Sequence, residues 1–320
     1  MQAGYPRLVG DIGGTNARFA VQRTPGGPLE EVRTLPVAQH ASLEAAVRHY
    51  LSEIGLSVVQ AGMGIANPVL GDQVRMTNAG WAFSIEAMRQ SLGWTRFALV
   101  NDFTALALSL PHLSVQDVRQ LGGGTADPRG PMALIGPGTG LGVSGLLPVG
   151  VDRWVPLAGE GGHVTLPAVT PREQAVVRWL DERFGHASAE RAVSGQGLEN
   201  LHEALCALDG VVSTERLSAA EVSRRALAQQ DARCDEALEL MLVWLGSVAG
   251  NLALTLGATG GVYLGGGIVP RLGDRLLRSG LRARFEAKGR FQPMLARIPL
   301  FVIDAQVSPA LLGAAHALDE

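Results

Sequence analysis

An α/β fold with a duplicated core is the fold class that this sequence predicts, and three observations predict it. Short apolar runs typical of strands alternate with amphipathic runs typical of helices. Hydrophobic residues make up 47% of the chain and charged residues 18%, which allows substantial cores and argues against disorder. A strand–turn–strand pattern near the amino terminus returns midway along the chain. The 320 residues suit two ordinary domains or one large domain.

Two amphipathic helices are predicted by the residues at their ends. Ser42 can cap the first, whose apolar residues fall at helical spacing until Gly55 ends it. The second begins at Thr170 and Pro171, where a capping box coincides with proline at the first helical position. It closes at Gly185.

A third helix is predicted over the long apolar run 235–256. Its small residues favour close packing against another helix. The most apolar part, 240–256, is shorter than the ~20 residues that a membrane span needs, and Asn251 and several glycines interrupt it. A buried core helix is therefore predicted, with no membrane partner.

Seven apolar β-type runs predict strands, and two of them share a design. In each, a strand enters a turn of glycine and threonine and a second strand follows, once near the amino terminus and once at ALIGPGTGLG. Two such turns, one per half, favour a duplicated core with a cleft between the halves. The predicted strands are 7–9, 17–21, 62–66, 97–100, 133–135, 262–264 and 300–303.

Charge and lysine content exclude several function classes. The net charge is −3 and no basic run is present, so a nucleic-acid partner is not expected. Lys288 is the only lysine. A P-loop needs a lysine directly after its glycines, and a protein kinase needs one on an early strand. If this chain binds phosphate, backbone amides and hydroxyls must do most of the binding.

The cysteine content and the amino-terminal sequence indicate the cellular compartment of the protein. Cys206 and Cys234 are too few for a disulfide framework or a four-cysteine zinc site. They are interpreted as ordinary thiols in a reducing compartment. The segment MQAGYPRLVG has no charged region followed by a long apolar stretch, so no secretion signal is expected. These observations predict a cytoplasmic protein.

The first glycine turn is a candidate phosphate loop. Gly13 and Gly14 let the backbone turn sharply and direct N–H groups at an anion, and Thr15 and Asn16 add neutral donors. Asp11 would repel a naked phosphate, so it makes sense only with a cation such as Mg²⁺ between them. A plain hairpin turn is the alternative. The leading aspartate and the second copy downstream favour function.

The second turn contains Gly138, Thr139 and Gly140, and it is a candidate phosphate loop for the same reason: its glycines can direct backbone N–H groups at an anion. Residues 140–145 also match the dinucleotide fingerprint GxGxxG, which requires a helix to begin on its glycines. The chain instead continues through Pro148 as strand and loop. A dehydrogenase is therefore not favoured.

Asn101 and Asp102 follow the predicted strand 97–100 and precede a helical stretch. A carboxylate at the carboxyl end of a strand faces the ligand crevice of an open α/β sheet. Asp102 could equally cap the next helix, which is a common use of aspartate. Spacing alone leaves the two interpretations even.

Three further segments offer polar or glycine-rich sites. Glu160 and His163 on a glycine-rich loop could be a metal pair, a solvated turn or a polar clamp for a hydroxylated ligand, and no third metal ligand is visible. Glu190 alone would pass as a surface helix charge. Residues 265–267 are three glycines that could bring backbone close to a flat ligand such as adenine, or could form a tight turn.

Eight segments together resemble the bacterial glucokinase family of the actin/hexokinase/Hsp70 ATPase superfamily. GDIGGTN alone is shared with many sugar kinases, whereas its combination with MTN-WAFS, NDFTA and GEGGHV is far more specific. The resemblance covers nearly the whole chain, from Leu8 to about Ala315. The segments are LVGDIGGTNARFA, MTNAGWAFS, VNDFTALA, GPGTGLGV, LAGEGGHV, SAERAVSGQGL, GGVYLGGGIVPR and SPALLGAA.

This resemblance implies a fold, a reaction and a set of site residues. The fold is the two-domain actin-like ATPase (ribonuclease H-like) fold, with a small α/β domain of residues 1–110 plus 301–320, a large α+β domain of residues 111–300, and sugar and nucleotide in the interdomain cleft. The reaction is ATP-dependent phosphorylation of D-glucose at its 6-hydroxyl, with Mg²⁺ as cofactor and a homodimer as the usual assembly. By position in the motifs, the resemblance implies that Asp102 is the general base, and that the sugar ligands are Asn78, Asn101, Asp102, Glu160, His163 and Glu190. The residues implied to bind phosphate and magnesium are Asp11, Gly13, Gly14, Thr15, Asn16, Gly138, Thr139 and Gly140. The residues implied to border the adenine are Gly265, Gly266 and Gly267.

A related repressor/kinase branch has a cysteine-rich zinc motif after its GEGGH-like loop. This sequence has no cysteines there, and no helix-turn-helix is expected before Leu8. The resemblance is therefore to the non-zinc glucokinases. A kinase for another hexose, such as mannose or fructose, and a non-catalytic sugar-sensing regulator stay open as alternatives.

Overall fold

The computed structural model describes residues 4–76, 80–150, 153–211 and 216–319, and it confirms the α/β class. The chain divides into two compact units. The first comprises Met1–Ser114, Trp154–Ala158 and Ala305–Glu320, and the second comprises Val115–Arg153 and Gly159–Asp304. The predicted domain boundaries near residues 110 and 300 stay a prediction.

All seven predicted strands and all three predicted helices are present among the described residues. The strands are β1 (Arg7–Ile12), β2 (Asn16–Gln22), β3 (Leu29–Pro36), β4 (Gln60–Ile65), β5 (Gln73–Arg75), β6 (Ala82–Ser84), β7 (Arg96–Asn101), β8 (Val118–Leu121), β9 (Met132–Pro137), β10 (Leu141–Val149), β11 (Arg153–Ala158), β12 (Val262–Leu264) and β13 (Leu300–Ile303). The α-helices are α1 (Leu43–Ile54), α2 (Ile85–Ser91), α3 (Asp102–Ser109), α4 (Pro171–Phe184), α5 (Gly195–Leu208), α6 (Ala219–Leu227), α7 (Ala232–Leu256), α8 (Leu281–Glu286), α9 (Gln292–Arg297) and α10 (Pro309–His316).

The ends of two helices follow from the side chains that the sequence analysis singled out. The Ser42 hydroxyl accepts a backbone N–H in the first turn of α1, and Gly55 ends that helix in the left-handed conformation at φ 63°. The Thr170 hydroxyl caps α4 in the same way, and Gly185 closes it at φ 74°. Local chemistry alone fixes these boundaries.

The first unit contains a five-stranded sheet in the order β3-β2-β1-β4-β7. Strands β1, β4 and β7 run parallel, while β2 and β3 extend the sheet as antiparallel neighbours. In this register Asp11 pairs with Gly64, and Ile65 pairs with Asn101. The carboxyl ends of three parallel strands therefore bring their polar residues to one edge of the sheet.

Helix α10 packs against α3 and β4 with almost no space between the backbones. A Cβ atom added to Gly313 would lie 1.6 Å from the Ala105 carbonyl oxygen, and one added to Gly62 would lie 2.0 Å from the Ala314 carbonyl oxygen. Only glycine fits at such distances. The SPALLGAA segment therefore holds the carboxyl-terminal helix close to the residues that follow β7.

The second unit is built on a mixed sheet and a long central helix. Strands β9, β12 and β13 are parallel, with β10 antiparallel to β9 and β8 antiparallel to β13. Helix α7 fills the core with residues such as Trp244, which is fully buried. A Cβ on Gly246 would lie 2.2 Å from the Leu281 carbonyl oxygen, so the small residues of α7 do allow close packing with α8.

Helix α7 is long and apolar enough to cross a membrane by length and composition, with a mean hydropathy of 1.6 over its most apolar window. In the described part of the chain it is the one helix of that kind, and 67% of this window is buried inside the protein. The prediction of a buried core helix is confirmed.

Candidate active site

The first glycine turn connects β1 and β2 as a tight hairpin. The Gly13 N–H donates to the Asn16 carbonyl at 2.9 Å, and the Val37 N–H donates to the Thr15 carbonyl at 2.9 Å. Neither Gly13 nor Gly14 has a positive φ, so left-handed freedom is not why glycine occurs here. The backbone is a plain hairpin. Its role as a phosphate loop stays a prediction.

Asp11 lies near the end of β1, where two partners hold its carboxylate. Its Oδ2 accepts a hydrogen bond from the Ser308 hydroxyl at 2.8 Å and from the Arg18 guanidinium at 3.1 Å. Arg18 is directly opposite on β2, and Ser308 precedes α10. Neither Arg18 nor Ser308 was predicted as a site residue, although Ser308 opens the SPALLGAA segment. A fixed carboxylate suits a hard cation such as Mg²⁺, which prefers oxygen ligands and keeps several waters.

Asn101 ends β7, and Asp102 begins α3. The Asn101 Oδ1 caps the helix by accepting from the Phe103 N–H at 2.9 Å and the Thr104 N–H at 3.4 Å. The alternative in which Asp102 caps the helix is therefore wrong, because the N-cap is its neighbour Asn101. Asp102 accepts from the Phe103 N–H at 2.9 Å, which uses one of its two oxygens.

The electrostatics of Asp102 suit a base that works near neutral pH. Burial raises the pKa of its carboxyl to about 6; the nearby Asp11 carboxylate also raises it, while the Phe103 N–H opposes the rise. Asp102 differs in this from other described carboxylates such as Glu173, whose pKa is lowered by its environment. Proton acceptance is most efficient when the pKa of the base lies near the working pH.

In the second unit, Glu190 supports the second glycine turn. Its Oε2 accepts from the Leu141 N–H at 2.9 Å, and a Cβ added to Gly140 would lie 2.4 Å from the same oxygen. The Gly138 carbonyl in turn accepts from the Gly195 N–H at the start of α5, at 2.9 Å. Glu190 is therefore not a surface helix charge. It shapes the turn of Gly138, Thr139 and Gly140.

The loop with Glu160 and His163 packs on β10 through its glycines. A Cβ added to Gly162 would lie 2.1 Å from the Leu141 carbonyl oxygen. Both Glu160 and His163 are exposed, and the Ala189 N–H donates to the Val164 carbonyl at 2.8 Å. That bond ties this loop to the segment that contains Glu190. The metal-pair alternative has no support in the described residues, whose metal-capable cluster lies elsewhere.

The three glycines after β12 pack backbone to backbone against the end of β9. The Gly265 N–H donates to the Ile135 carbonyl at 2.9 Å. Gly266 has a φ of 78°, and a Cβ on it would lie 2.4 Å from the Pro137 carbonyl oxygen. Glycine is thus required for both conformation and space. The adenine contact of Gly265, Gly266 and Gly267 stays a prediction.

The predicted site residues therefore gather in two groups, each within one unit. The first unit brings the first turn together with Asp11, Asn101 and Asp102. The second brings together the second turn, Glu190, the Glu160 loop and the glycine triplet. Asn78 lies outside the described residues. The fingerprint at 140–145 is rejected, because it begins strand β10 rather than a helix.

Each unit has a strand–turn–strand segment on a mixed sheet, and the Asp102 carboxylate lies at the parallel edge of the sheet in the first unit. This is the architecture of a sugar kinase with the actin-like ATPase fold, and the comparisons agree. The family model described as Glucokinase matches residues 8–320. A glucokinase of Aromatoleum aromaticum is 58% identical over 317 residues, covering 98% of this chain and 95% of that protein. The chain belongs to the glucokinase family, as its motifs predict.

Solved structures support the fold class. The crystal structure of a glucokinase from an Antarctic psychrotroph matches with a TM-score of 0.90 and 37% identity, over 98% of each chain. A ROK family glucokinase from Streptomyces griseus, solved in complex with glucose and AMPPNP, matches with a TM-score of 0.65 and 20% identity. That match covers 97% of this chain and 98% of the other. The predicted fold class is confirmed.

Proposed function

We propose that this chain transfers the terminal phosphoryl group of ATP to the 6-hydroxyl of D-glucose, forming glucose 6-phosphate and ADP. The observation that carries the proposal is Asp102, whose buried carboxyl has a pKa of about 6 at the carboxyl edge of three parallel strands. Membership of the glucokinase family supports the choice of reaction. The complex of the Streptomyces griseus protein with AMPPNP supports ATP as the donor.

Asp102 acts as the general base. It accepts the proton of the 6-hydroxyl as the new O–P bond forms and the bond between the terminal phosphorus and the ADP oxygen breaks. The transition state of such transfers is loose, so catalysis depends on positioning and charge stabilisation. A general base contributes about 10²–10⁴-fold to the rate.

Asp11 would hold the Mg²⁺ of Mg-ATP through water. Its carboxylate is fixed by Ser308 and Arg18, and magnesium supplies neutralisation of phosphate charge when bound. Backbone N–H groups of the two glycine turns hold the phosphates, since the chain has one lysine and no P-loop. The glycine triplet 265–267 borders the adenine.

The hydroxyls of the sugar pair with carboxylates, an imidazole and amides. A buried polar group that loses its partner costs roughly 1–3 kcal/mol. An epimer that misplaces one hydroxyl is therefore rejected by about one to two orders of magnitude. The proposed sugar ligands are Asn78, Asn101, Asp102, Glu160, His163 and Glu190.

A panel of hexoses against several phosphoryl donors tests this function. The purified chain is assayed for ADP release with glucose, mannose and fructose, and for sugar phosphate with ATP, ADP or polyphosphate as donor. We expect turnover to be highest with glucose and ATP, and to require Mg²⁺. Higher turnover with another hexose would reassign the substrate, and sugar binding without turnover would favour a regulator.

We further propose a cytoplasmic homodimer, on the ground of the family resemblance. Light scattering of the purified chain after size exclusion tests the assembly, with a mass twice that of one chain as the expected result. A monomer over the working concentration range would contradict it.

A further inference from the structure

A second cluster of reactive side chains lies in the second unit, among residues without a role in the proposed reaction. His202 and Cys206 lie four residues apart on α5, so they share one helical face. Asp231 and Cys234 lie at the start of α7. One ligand atom from each of His202, Asp231 and Cys234 lies within 4.8 Å of the other two. The Cys206 sulfur is 3.8 Å from the His202 Nε2.

The cluster is withdrawn from solvent. His202 and Cys206 are each 6% exposed, and Cys234 is fully buried. Imidazole, thiolate and carboxylate are the donors that zinc prefers, and four of them suit its tetrahedral geometry. We propose that His202, Cys206, Asp231 and Cys234 form a structural site for a thiophilic divalent metal of the zinc class, which fixes α5 to α7.

Charge around the cluster suits a metal–thiolate complex. A Zn²⁺ ion with two thiolates, one carboxylate and a neutral imidazole has a net charge of about −1. Asp231 caps α7 and Cys234 lies in its first turn, where the amino end of a helix stabilises negative charge.

A thiol binds metal as its thiolate, so metal binding at this cluster should release protons. The competing interpretation is a hydrogen-bonded polar cluster that takes no metal.

Cobalt titration of the full chain separates the two interpretations. The protein is kept reduced, stripped of metal and titrated with Co²⁺, and then with Zn²⁺. We expect one equivalent of Co²⁺ to produce thiolate-to-cobalt charge-transfer absorption and the intense visible bands of tetrahedral cobalt, which Zn²⁺ then abolishes. Bound Zn²⁺ should also protect both cysteines from a thiol reagent. Absence of the charge-transfer band, or cobalt bound without it, overturns the proposal.

Two ligand variants and a matched control assign the site. Cys234→Ser and His202→Gln should each weaken cobalt binding by more than the roughly 10–100-fold that loss of an outer-shell partner costs. His49→Gln, an exposed histidine of the first unit, should bind like the original chain. An unchanged spectrum in Cys234→Ser overturns the assignment. If that variant fails to fold by circular dichroism, thiol protection in the original chain and the His202→Gln titration decide.

Metal binding should also raise the midpoint of thermal unfolding, because the ion binds the folded state. The rise should be present in the original chain and in His49→Gln and absent in His202→Gln. An equal rise in all three would indicate surface binding and overturn the proposal.

Discussion

Asp102 in the first unit and Glu173 in the second are both carboxylates withdrawn from water, yet their pKa values move in opposite directions. Burial raises the pKa of Asp102 to about 6. Glu173 is 2% exposed, but its pKa is lowered, because the Arg284 guanidinium and backbone N–H groups outweigh its burial. Arg284 contacts both Glu173 oxygens, at 2.6 and 3.2 Å, and the Val169 N–H donates at 2.8 Å.

The difference teaches that partners, rather than burial, separate the carboxylate of the proposed base from a structural carboxylate. Asp102 accepts from the Phe103 N–H at 2.9 Å, but its burial and the like charge of Asp11 outweigh its hydrogen bonds. Its ionised form is incompletely stabilised and can accept a proton. Glu173 is fully paired, so its charge belongs to the fold.

Replacing the proposed base should have the largest effect on activity. We expect Asp102→Asn to lower kcat by about 10²–10⁴-fold, because the hydroxyl proton loses its acceptor. The free energy of unfolding at neutral pH should stay the same or rise, since the amide keeps the Phe103 hydrogen bond and removes a poorly stabilised charge. Steady-state kinetics and urea unfolding measure the two effects. A normal kcat would contradict the assignment of the base.

Replacing the structural carboxylate should affect stability instead. Glu173→Gln leaves the Arg284 charge buried without its partner, and breaking such a pair costs about 3–5 kcal/mol. We expect urea unfolding to show this loss, while kcat per folded molecule is retained. The double variant Glu173→Met and Arg284→Met is the matched control. It should recover much of the loss, because a buried pair can be replaced by apolar residues at little cost.

The contrast also shows how far the sequence could predict this molecule. The capping residues Thr170, Pro171 and Glu173 predict the start of α4, and the helix does begin at Pro171. The fold class and the long core helix follow from apolar spacing in the same way. Strand β3 was missed because its sequence LEEVRTLP alternates with charge and much of it is exposed, so no apolar run marks it.

Long-range partners are what the sequence could not supply. The arginine that holds Glu173 is 111 residues away, and the hydroxyl that holds Asp11 is 297 residues away. Glu190 looked like a surface charge because its partner, the Leu141 N–H, is 49 residues distant. Candidate residues could be selected from motifs and resemblance. The partners that decide their pKa and orientation depend on the tertiary structure.

The pH dependence of activity and stability should separate the two carboxylates. As the proposed base, Asp102 would act in its ionised form, so kcat/KM should fall about tenfold per pH unit once the pH is below about 6. Its raised pKa means that the folded state binds the proton more tightly, so this group favours folding as the pH falls from about 6. Glu173 has a lowered pKa and acts in the opposite sense, with stability lost as the pH falls through its folded pKa, below 4.5.

Activity should therefore disappear between about pH 6 and 4.5 while the chain stays folded, with the limits set by these two groups. Initial rates and circular dichroism over the same buffers measure this window. Near neutral pH, Asp102→Asn should have the same stability as the original chain. The residual rate of this variant should not fall as the pH is lowered through 6. Coincident loss of activity and structure would show that unfolding, and not protonation of Asp102, sets the acid limit.

The smallest expected effect comes from the support of Asp11. Ser308→Ala removes the 2.8 Å hydrogen bond to the Asp11 Oδ2 and leaves Arg18 as its partner. A hydrogen bond to a charged group contributes about 1.5–3 kcal/mol at most, and less where water can replace it. We expect a several-fold higher Mg²⁺ requirement, because the carboxylate is less well oriented. The acid limb should also move to slightly higher pH, because Asp11 then opposes ionisation of Asp102 more strongly. Ser308→Thr keeps the hydroxyl and is the matched control. A lower kcat with neither change would mean that Ser308 supports the packing of α10 rather than the position of Asp11.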